Sequence, residues 1–578
     1  MKSFLKMIVA VLVAQLLIVG ALAVVIAARL SDKVKVPKGA VLVQSLDGAI
    51  PDSPQGGGMP GPFGRAGESH ASILGNLEKA RHDARIHAVV LEIGLPEIGF
   101  AKMDELRARI GQLRAAGKPV WAYTEGLSRG SLYLGAACDS LFLLPNGYVS
   151  LHGSASGRPF LKGTLEKLGI RENLHRIEHY KSAAEMIQGE RMSPESRANI
   201  EWILDSLYPH SLATIEEDRR LAPGTLESRI FPAGVLTPDE ALALGLVDRL
   251  LYRDGLEERL LALPGVEQDQ GTKEGLGPRP RTVSGSEYAS VERKAAGIKA
   301  KERIAVVHAS GYIGGEESGY QFPFGASMGA ATMERAFRAA AEDKEVKAII
   351  FRVDSGGGES STSWKIQRSA KRAAEKKPLV VSMGDMAGSG GYLICYPCAP
   401  LLAGPRSIVG SIGSISGKFN MRGLYDKLGI TWDFVSRGPN ALMGSDYFDY
   451  TPEQWASFKQ RHWRDYQDWI DDIARFRGRT AAEIDSVGRG RVWTGEQALA
   501  HGLIDELGAF DDAVRIAKEK AGIAADAEVE FVHYPKAKGF IESLKSGGLG
   551  AAIAGLIDGW LAPLRREQTW ALEWGTYR

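Results

Sequence analysis

The chain has 578 residues, of which 44% are apolar and 24% are charged, and its formal net charge is +1. This length leaves room for two sizeable cores, and the composition is typical of a globular protein rather than a disordered one. The near-neutral charge, without a long basic run interleaved with aromatic residues, argues against nucleic acid as a partner. Only three cysteines occur, which excludes a disulfide scaffold and a zinc site of the usual Cys-pair spacing.

The first predicted element is an apolar segment near the N-terminus. Residues 7–28 are apolar apart from Gln15, with Lys2 and Lys6 before them and Arg29 after them. A helix of this length can cross a hydrocarbon core of ~30 Å, so we expect an uncleaved transmembrane anchor in contact with lipid; a cleaved signal peptide is the alternative. The two leading lysines favour a cytoplasmic N-terminus, which places the body of the protein outside the cytoplasm.

The rest of the chain contains an internal duplication. Three blocks recur in the same order and at a nearly constant displacement: 153–157 at 413–417, 165–170 at 425–430, and 235–248 at 492–505. Such a period indicates two copies of one fold. The predicted organisation is an anchor with its flank (1–37), a first domain (38–264), a polar linker (265–302), a second domain (303–535) and a C-terminal tail (536–578).

Each copy alternates short β-branched runs with longer helical patterns. In the second copy, strands are predicted at 304–308, 348–353 and 379–382, and helices at 331–342 and 363–375. Ser193 and Thr451 are each followed by proline, as at the start of a capped helix. Strands that alternate with helices predict an α/β fold of parallel βαβ units in each copy.

Cys395-Tyr-Pro-Cys398 has the spacing of a redox motif, and thiol exchange is one interpretation of it. The duplication places Cys398 opposite Cys138. This equivalence favours the other interpretation, a small buried apolar residue that is used twice.

A glycine-flanked serine is the first candidate for chemistry. Ser389 follows a predicted strand within Asp-Met-Ala-Gly-Ser-Gly-Gly-Tyr, residues 385–392. Small neighbours allow a sharp backbone turn that leaves the hydroxyl accessible, and a following helix would direct its N-terminal amides at developing negative charge. Taken alone, Gly-Ser-Gly-Gly is most often an ordinary turn.

A glycine-rich turn, Asp354-Ser-Gly-Gly-Gly358, follows the predicted strand at 348–353. An acyl-transfer enzyme needs backbone N–H donors held ~3 Å from the developing oxyanion, and glycines at a strand end satisfy that need. A phosphate-binding loop is the competing interpretation, but neither of its usual spacings is present.

A nucleophilic serine also needs a base. The first copy offers Lys181, after a predicted strand at 173–179. Lysine acts as a base only when neutral, so burial would have to lower its pKa from ~10.4. An exposed, solvated lysine is the ordinary alternative, and His179 is a second candidate base. His308 and His501 lie in the second copy, outside any local pattern that suggests a base.

The duplication bears on this assignment. At the common displacement, Arg129 lies opposite Ser389, Ala441 lies opposite Lys181, and Pro-Glu-Ile at 96–98 lies opposite the glycines at 356–358. Each copy therefore retains what the other lacks. The two copies together predict one composite site.

These motifs resemble one family. Ser389-Gly-Gly-Tyr, the glycine-rich turn before it, Gly410-Ser-Ile-Gly413, Tyr180-Lys-Ser182 and Gly490-Arg-Val-Trp-Thr494 together are similar to the signal peptide peptidase A family, in its long, duplicated Gram-negative form, within the ClpP/crotonase superfamily. The resemblance covers nearly the whole chain and implies two tandem ClpP/crotonase-like domains.

The resemblance also implies roles for residues. Ser389 would be the nucleophile, Lys181 the general base, and Ser411 the residue that orients the lysine amine. The oxyanion would be bound by Gly357 and Gly358, with the amide of Gly390. The family usually has Asn-Ser-Pro-Gly-Gly where this chain has Asp-Ser-Gly-Gly-Gly at 354–358, so which glycine donates stays open.

The function that the resemblance implies is a membrane-anchored serine endopeptidase that degrades residual signal peptides. It further implies a homotetramer, bound to the bacterial inner membrane with its body on the periplasmic side. No metal or cofactor is needed for this chemistry. Two alternatives stay open at this point: a catalytically impaired scaffold of the same fold, and a crotonase-like acyl-CoA enzyme.

Overall fold

A computed structural model of the chain describes residues 34–53, 68–177, 179–270, 277–321 and 324–536. The predicted anchor at 7–28 lies outside these ranges, as does most of the tail at 536–578. Among the helices within them, none is both long and apolar enough to cross a membrane.

The first half of the chain forms a mainly parallel sheet with helices on both faces. The strands of this half of the chain are β1 (Ala40–Ala49), β2 (Ile86–Glu97), β3 (Val120–Leu127), β4 (Ser140–Ser150), β5 (Arg171–Arg176), β6 (Val235–Leu236), β7 (Arg249–Leu250) and β8 (Thr282–Ser284), and all but β5 belong to the sheet. Its α-helices are α1 (His70–His82), α2 (Phe100–Ala115), α3 (Arg129–Gly135), α4 (Lys162–Leu168), α5 (Glu185–Gln188), α6 (Pro194–Asp218), α7 (Pro238–Ala243), α8 (Arg253–Leu261) and α9 (Gly285–Tyr288). Short helical turns of other types lie at Ser182–Ala184, Leu226–Ile230 and Arg293–Ala296.

The second half repeats the arrangement. Its strands are β9 (Glu302–Ser310), β10 (Tyr312–Ile313), β11 (Gly319–Gln321), β12 (Gly325–Met328), β13 (Val346–Ser355), β14 (Leu379–Gly388), β15 (Leu401–Ala403), β16 (Ile408–Gly410), β17 (Ile415–Asn420), β18 (Val492–Thr494), β19 (Glu506–Leu507) and β20 (Val529–Tyr534). Its helices are α10 (Ala330–Glu342), α11 (Ser360–Ala374), α12 (Gly390–Leu393), α13 (Arg422–Leu428), α14 (Pro452–Arg477), α15 (Ala481–Val487), α16 (Gly495–Ala500) and α17 (Phe510–Lys520).

Sheet order shows the duplication directly. The first sheet runs β6-β4-β3-β2-β1-β8, with β7 beside β4, and the second runs β18-β16-β14-β13-β9-β20, with β15 and β19 attached beside β14. In both sheets the central strands pair in parallel and a short antiparallel strand closes one edge. Strand β8 comes from the stretch predicted to separate the copies, and it extends the first sheet as β20 extends the second. The predicted α/β fold with parallel βαβ units is confirmed.

The strands read as nearly continuous apolar runs because both faces of each sheet are covered. Helices α1 and α2 bury one face of the first sheet and α8 the other. In the second sheet, α10, α11 and α14 cover one face and α17 the other. The strands and helices predicted in the second copy are all present, with bounds that differ by one to several residues. Thr451 caps α14 through a reciprocal bond pattern with Gln454.

The two copies contact each other through a pair of strands and a pair of stacked tryptophans. Strands β5 and β17, one from each copy, pair as an antiparallel ribbon. Trp202 of α6 stacks on Trp493 of β18, with ring centroids 4.9 Å apart and planes within 8°. Its indole N–H donates to the carbonyl of Val492 at 2.8 Å. Residues far apart in sequence are thereby held against each other.

The strand predicted at 173–179 is shorter than expected. Strand β5 ends at Arg176, where its partner β17 begins at Ile415. Ile177 makes one more backbone bond, to the carbonyl of Ser414. Ser411, three residues before Ser414, has a φ of 52°, so the backbone there is no longer extended.

Candidate active site

Ser389 lies at a strained turn between strand β14 and helix α12. Its φ is 53°, a conformation that is unusual for a residue with a side chain. The flanking glycines allow this turn, because a Cβ on Gly391 would come 2.4 Å from the carbonyl oxygen of Ser355. The backbone N–H of Ser389 is fixed by the carbonyl of Gly410 at 2.8 Å. The turn therefore presents the hydroxyl at the carboxyl end of the second sheet.

Lys181 of the first copy reaches this hydroxyl. Its Nζ lies 2.9 Å from Ser389 Oγ, 2.8 Å from Ser411 Oγ and 2.9 Å from the Ser411 carbonyl oxygen. Both residues belong to the same chain. The structure thus brings together Ser389, Lys181 and Ser411, which the sequence had placed in separate copies and motifs.

The contacts of Lys181 match the valence of a neutral amine. A neutral amine has two N–H donors and one lone pair. The Ser411 carbonyl can only accept a hydrogen bond, and the Ser411 hydroxyl can accept the second. In the neutral form the lone pair is then left for Ser389, whose O–H can donate to it.

Burial explains how the lysine can be neutral. Its side chain is only 7% exposed, and removal from water lowers its pKa from 10.5 to about 7. Among the described residues no carboxylate compensates for this burial. An acidic neighbour would stabilise the ammonium form and raise the pKa again.

The motif at 490–494 supports the lysine from behind. Gly490 has a φ of 87°, and a Cβ there would come 2.3 Å from the backbone nitrogen of Lys181. Only glycine therefore allows this close approach. The carbonyl of the next residue, Arg491, accepts the backbone N–H of Ser411. The Arg491 guanidinium carbon lies 3.9 Å from the ring centre of Tyr180.

The glycine-rich turn lies directly beside Ser389. Gly357 has a φ of 103°, and a Cβ there would come 2.8 Å from the Ser389 Cβ and 2.7 Å from the amide nitrogen of Gly390. Its own N–H is donated to Ser355 Oγ at 3.1 Å. The lack of a side chain on Gly357 therefore allows the glycine-rich turn to lie against Ser389, while the Gly357 N–H is used in a hydrogen bond within that turn.

Gly358 has its N–H directed differently. The backbone bonds of Ile313 go to the carbonyl of Gly357 and the N–H of Glu359. Because alternate peptide groups of an extended chain point to opposite sides, the Gly358 N–H faces away from Ile313. Its nitrogen lies 3.2 Å from where a Cβ on Gly390 would be, at the first turn of α12. The backbone nitrogens of Gly358 and Gly390 thus lie close together beside Ser389.

The other sequence candidates lie elsewhere. His179 is exposed, His308 is hydrogen-bonded to Asp52 and His533, and His501 packs on Trp493. The three cysteines are all buried and free. Burial raises the pKa of the Cys398 thiol to about 12, which does not suit thiol exchange. Within the described residues, no group of three or more metal-ligating side chains is present.

Sequence reasoning missed the ion pairs behind the site. Lys102 of α2 contacts Asp354 at 2.5 Å and Asp385 at 3.3 Å. Arg352 contacts Asp52 and Glu105, again across the two copies. Arg352 and Asp354 in an otherwise apolar strand were the available signal, but their partners are far apart from them in sequence.

Comparison with known proteins identifies the family of the chain. The chain matches the profile of peptidase family S49 over residues 112–267 and 371–524, one stretch in each copy. It is 31% identical over 532 residues to "Serine protease SPPA, chloroplastic" of Arabidopsis thaliana, covering 91% of this chain and 76% of that protein. It is 32% identical over 521 residues to "Protease 4" of Salmonella typhi, covering 85% and 80%, and 28% identical over 469 residues to "Protease 4" of Haemophilus influenzae, covering 78% and 73%.

The duplicated α/β fold and these relatives define a serine peptidase. The chain belongs to peptidase family S49. The resemblance stated from its motifs is thereby confirmed, and the relatives favour a peptidase over an acyl-CoA enzyme.

Proposed function

We propose that this protein is an endopeptidase with a Ser389/Lys181 dyad, held at a membrane by its N-terminal segment, that degrades residual signal peptides. One observation supports the dyad: Lys181 Nζ, buried with no carboxylate partner among the described residues, lies 2.9 Å from Ser389 Oγ. A buried lysine and an activated serine are the two parts that nucleophilic acyl transfer requires.

In the acylation step, neutral Lys181 takes the proton of Ser389 as Oγ attacks the scissile carbonyl carbon. The carbonyl oxygen becomes an oxyanion, and the N–H groups of Gly358 and Gly390 stabilise it. Lys181, now an ammonium, gives its proton to the leaving amine, so the peptide C–N bond breaks. An acyl-enzyme on Ser389 and a new amino terminus result.

In the deacylation step, Lys181 takes a proton from water, and the resulting hydroxide attacks the ester carbonyl. The same two N–H groups hold the second oxyanion. The proton on Lys181 returns to Ser389 Oγ as the C–O bond breaks, which releases a carboxylic acid product. Ser411 holds the amine in place throughout, through its carbonyl and its hydroxyl.

The pH dependence follows from the lysine. Because burial lowers the pKa of Lys181 to about 7, the amine is neutral above that pH and protonated below it. We expect kcat/KM to rise about tenfold per pH unit below pH 7 and to level off above it. A pH–rate profile with a neutral peptide substrate measures this. A plateau that began only above pH 9 would contradict a buried, neutral base.

The substrate and setting rest on the resemblance and on the N-terminal segment. Extended, apolar peptides near a bacterial inner membrane, such as remnants of cleaved signal peptides, are the proposed substrates. The body would lie on the periplasmic side, and labelling of spheroplasts with an impermeant reagent tests that orientation. The homotetramer rests on the resemblance, and the molar mass of solubilised protein tests it. Exposed apolar residues at 428–435, with Trp432 51% and Val435 87% exposed, could form part of an interface between copies.

The decisive experiment combines labelling and product mapping. The full-length protein is treated with a serine-reactive fluorophosphonate, and mass spectrometry of its peptides locates the adduct. In parallel, a synthetic signal peptide is incubated with the enzyme and the products are sequenced. We expect a single adduct on Ser389 and internal cleavage within the apolar region. An adduct elsewhere, or an intact signal peptide beside cleavage of other peptides, would refute the dyad or the substrate class, respectively.

A further inference from the structure

A buried ion cluster lies directly behind the two turns that form the active site. Its centre is Lys102, on helix α2 of the first copy, whose side chain is 5% exposed. Its two partners, Asp354 and Asp385, belong to the second copy and are also largely buried. The lysine therefore crosses from one copy to the other at the floor of the site.

Each aspartate is tied to a different active-site turn. Asp354 starts the glycine-rich turn and lies four residues before Gly358. Asp385 is in strand β14 and lies four residues before Ser389. Lys102 Nζ is 2.5 Å from Asp354 Oδ2 and 3.3 Å from Asp385 Oδ2, so a single ammonium group joins the two turns.

Further hydrogen bonds lock these carboxylates in place. Asp354 Oδ1 accepts the backbone N–H of Met386 at 3.1 Å, at the point where the pairing of β13 with β14 shifts register. Asp385 accepts the N–H of Gly99 at 2.8 Å and that of Lys102 at 3.0 Å. Asp385 is thus the cap of α2, since Gly99 has no side chain to serve as one.

The fit at this cap is close. A Cβ on Gly99 would come 2.5 Å from the Asp385 carboxyl carbon, so the start of α2 and the end of β14 are in direct contact. The helix N-terminus and the Lys102 ammonium act on the same carboxylate. Movement of α2 would consequently be transmitted to the strand that carries Ser389.

We propose that Lys102 is a positioning residue for the hydrolysis: it fixes the glycine-rich turn against the nucleophile turn, so that the N–H groups of Gly358 and Gly390 converge on one oxyanion. This inference rests on the function proposed above. The first copy then supplies both the base, Lys181, and the cation that sets the geometry of the oxyanion site.

The test compares K102M with the wild-type full-length enzyme. Methionine has a similar length but no charge, so the two turns lose their common partner. A displaced oxyanion donor costs about 10²-fold in kcat, and we expect that loss per folded enzyme with KM changed less than about threefold. The inhibition constant of a peptide aldehyde, whose adduct on Ser389 places an oxygen in the same site, should rise in parallel.

A matched control is K79M. Lys79 is another buried lysine of the first copy, but it donates to the carbonyls of Tyr288 and Val291, away from the site. Its loss should lower the melting temperature and leave kcat and aldehyde affinity within about threefold of wild type. Equal losses in K102M and K79M would overturn the positioning role.

A second variant keeps the test valid if K102M folds poorly. That substitution removes the ammonium group that two buried carboxylates share. K102M/D354N removes one carboxylate together with the lysine, and its asparagine can still accept from Met386. We expect its kcat to be at least about fivefold below wild type but above that of K102M. If either variant had the kcat of the wild-type enzyme, the positioning role of Lys102 would be refuted and the proposed function would stand. If the wild-type enzyme neither reacted with a fluorophosphonate at Ser389 nor cleaved peptides, both the proposed function and this inference would be refuted.

Discussion

Replacement of Ser389 by alanine is expected to lower kcat for peptide hydrolysis by about 10⁴-fold or more, because the hydroxyl is the proposed nucleophile. The fold should persist. The methyl group fits where the hydroxymethyl group was, and the turn is held by the backbone bond from Ser389 to Gly410. Hydrolysis of a fluorogenic peptide, with circular dichroism of the same sample, measures both effects.

A matched control is available in the first copy. Ser128 caps helix α3 beside Arg129, at the turn that corresponds to that of Ser389. Its replacement by alanine should cost about 1 kcal/mol of stability through the lost cap and leave kcat unchanged. Residual activity of S389A above about one per cent, or a loss of activity in S128A equal to that in S389A, would argue against Ser389 as the nucleophile.

The fold could be predicted from sequence to a large extent because its signals are local. Buried strands in a parallel sheet are continuous β-branched runs, and these located β9, β13 and β14 correctly. The duplication then predicted one topology used twice. The antiparallel strands at the sheet edges, such as Val235–Leu236 and Val492–Thr494, are too short for any periodicity to indicate them.

The composition of the site was predictable only through combined motifs. Neither Ser389 nor Lys181 is distinctive by itself, and they were linked by the combined motifs together with their complementary loss in the two copies. The turn at Gly357 and Gly358 remained ambiguous because sequence does not show which way a peptide N–H points. The bond from Gly357 to Ser355 and the parallel bridge of Gly358 with Ile313 distinguish the two glycines.

The contacts between copies could not be predicted, since they join residues that share no local pattern. Lys102 meets Asp354 and Asp385 only after the two sheets have packed together. Likewise, the low pKa of Lys181 is a property of its burial against Gly490, which lies in the other copy. Catalytic character in this protein therefore arises from the packing of two copies rather than from either one.

Replacement of Lys181 by methionine is expected to lower kcat at least about 10³-fold at pH 8, since the proposed general base is lost while the proposed nucleophile stays in place. Steady-state kinetics with a neutral peptide measures this. Reaction of Ser389 with a fluorophosphonate should slow in proportion, because the same proton must leave the hydroxyl.

The stability of K181M should change in the opposite direction to its activity. The pKa of Lys181 is about 7 in the folded chain and 10.5 as its ordinary value, so the unfolded chain binds more protons between those pH values. The buried lysine therefore lowers the free energy of unfolding by its full amount below pH 7, and this penalty decreases as the pH approaches 10.5. At pH 8 it is on the order of 3 kcal/mol, since one pKa unit corresponds to about 1.4 kcal/mol. Methionine removes this penalty and loses the bonds to Ser411, so we expect a Tm at pH 8 no lower than that of the wild type.

His179 provides the control for the identity of the base. It is two residues from Lys181 but exposed, and its replacement by alanine should leave kcat within about threefold of wild type and the inflection of the pH–rate profile unchanged. If K181M kept most of its activity while H179A lost it, the base would be the histidine. A large loss in K181M together with an unchanged or higher Tm would show that the buried lysine is retained for catalysis at the expense of the fold, as its lowered pKa requires.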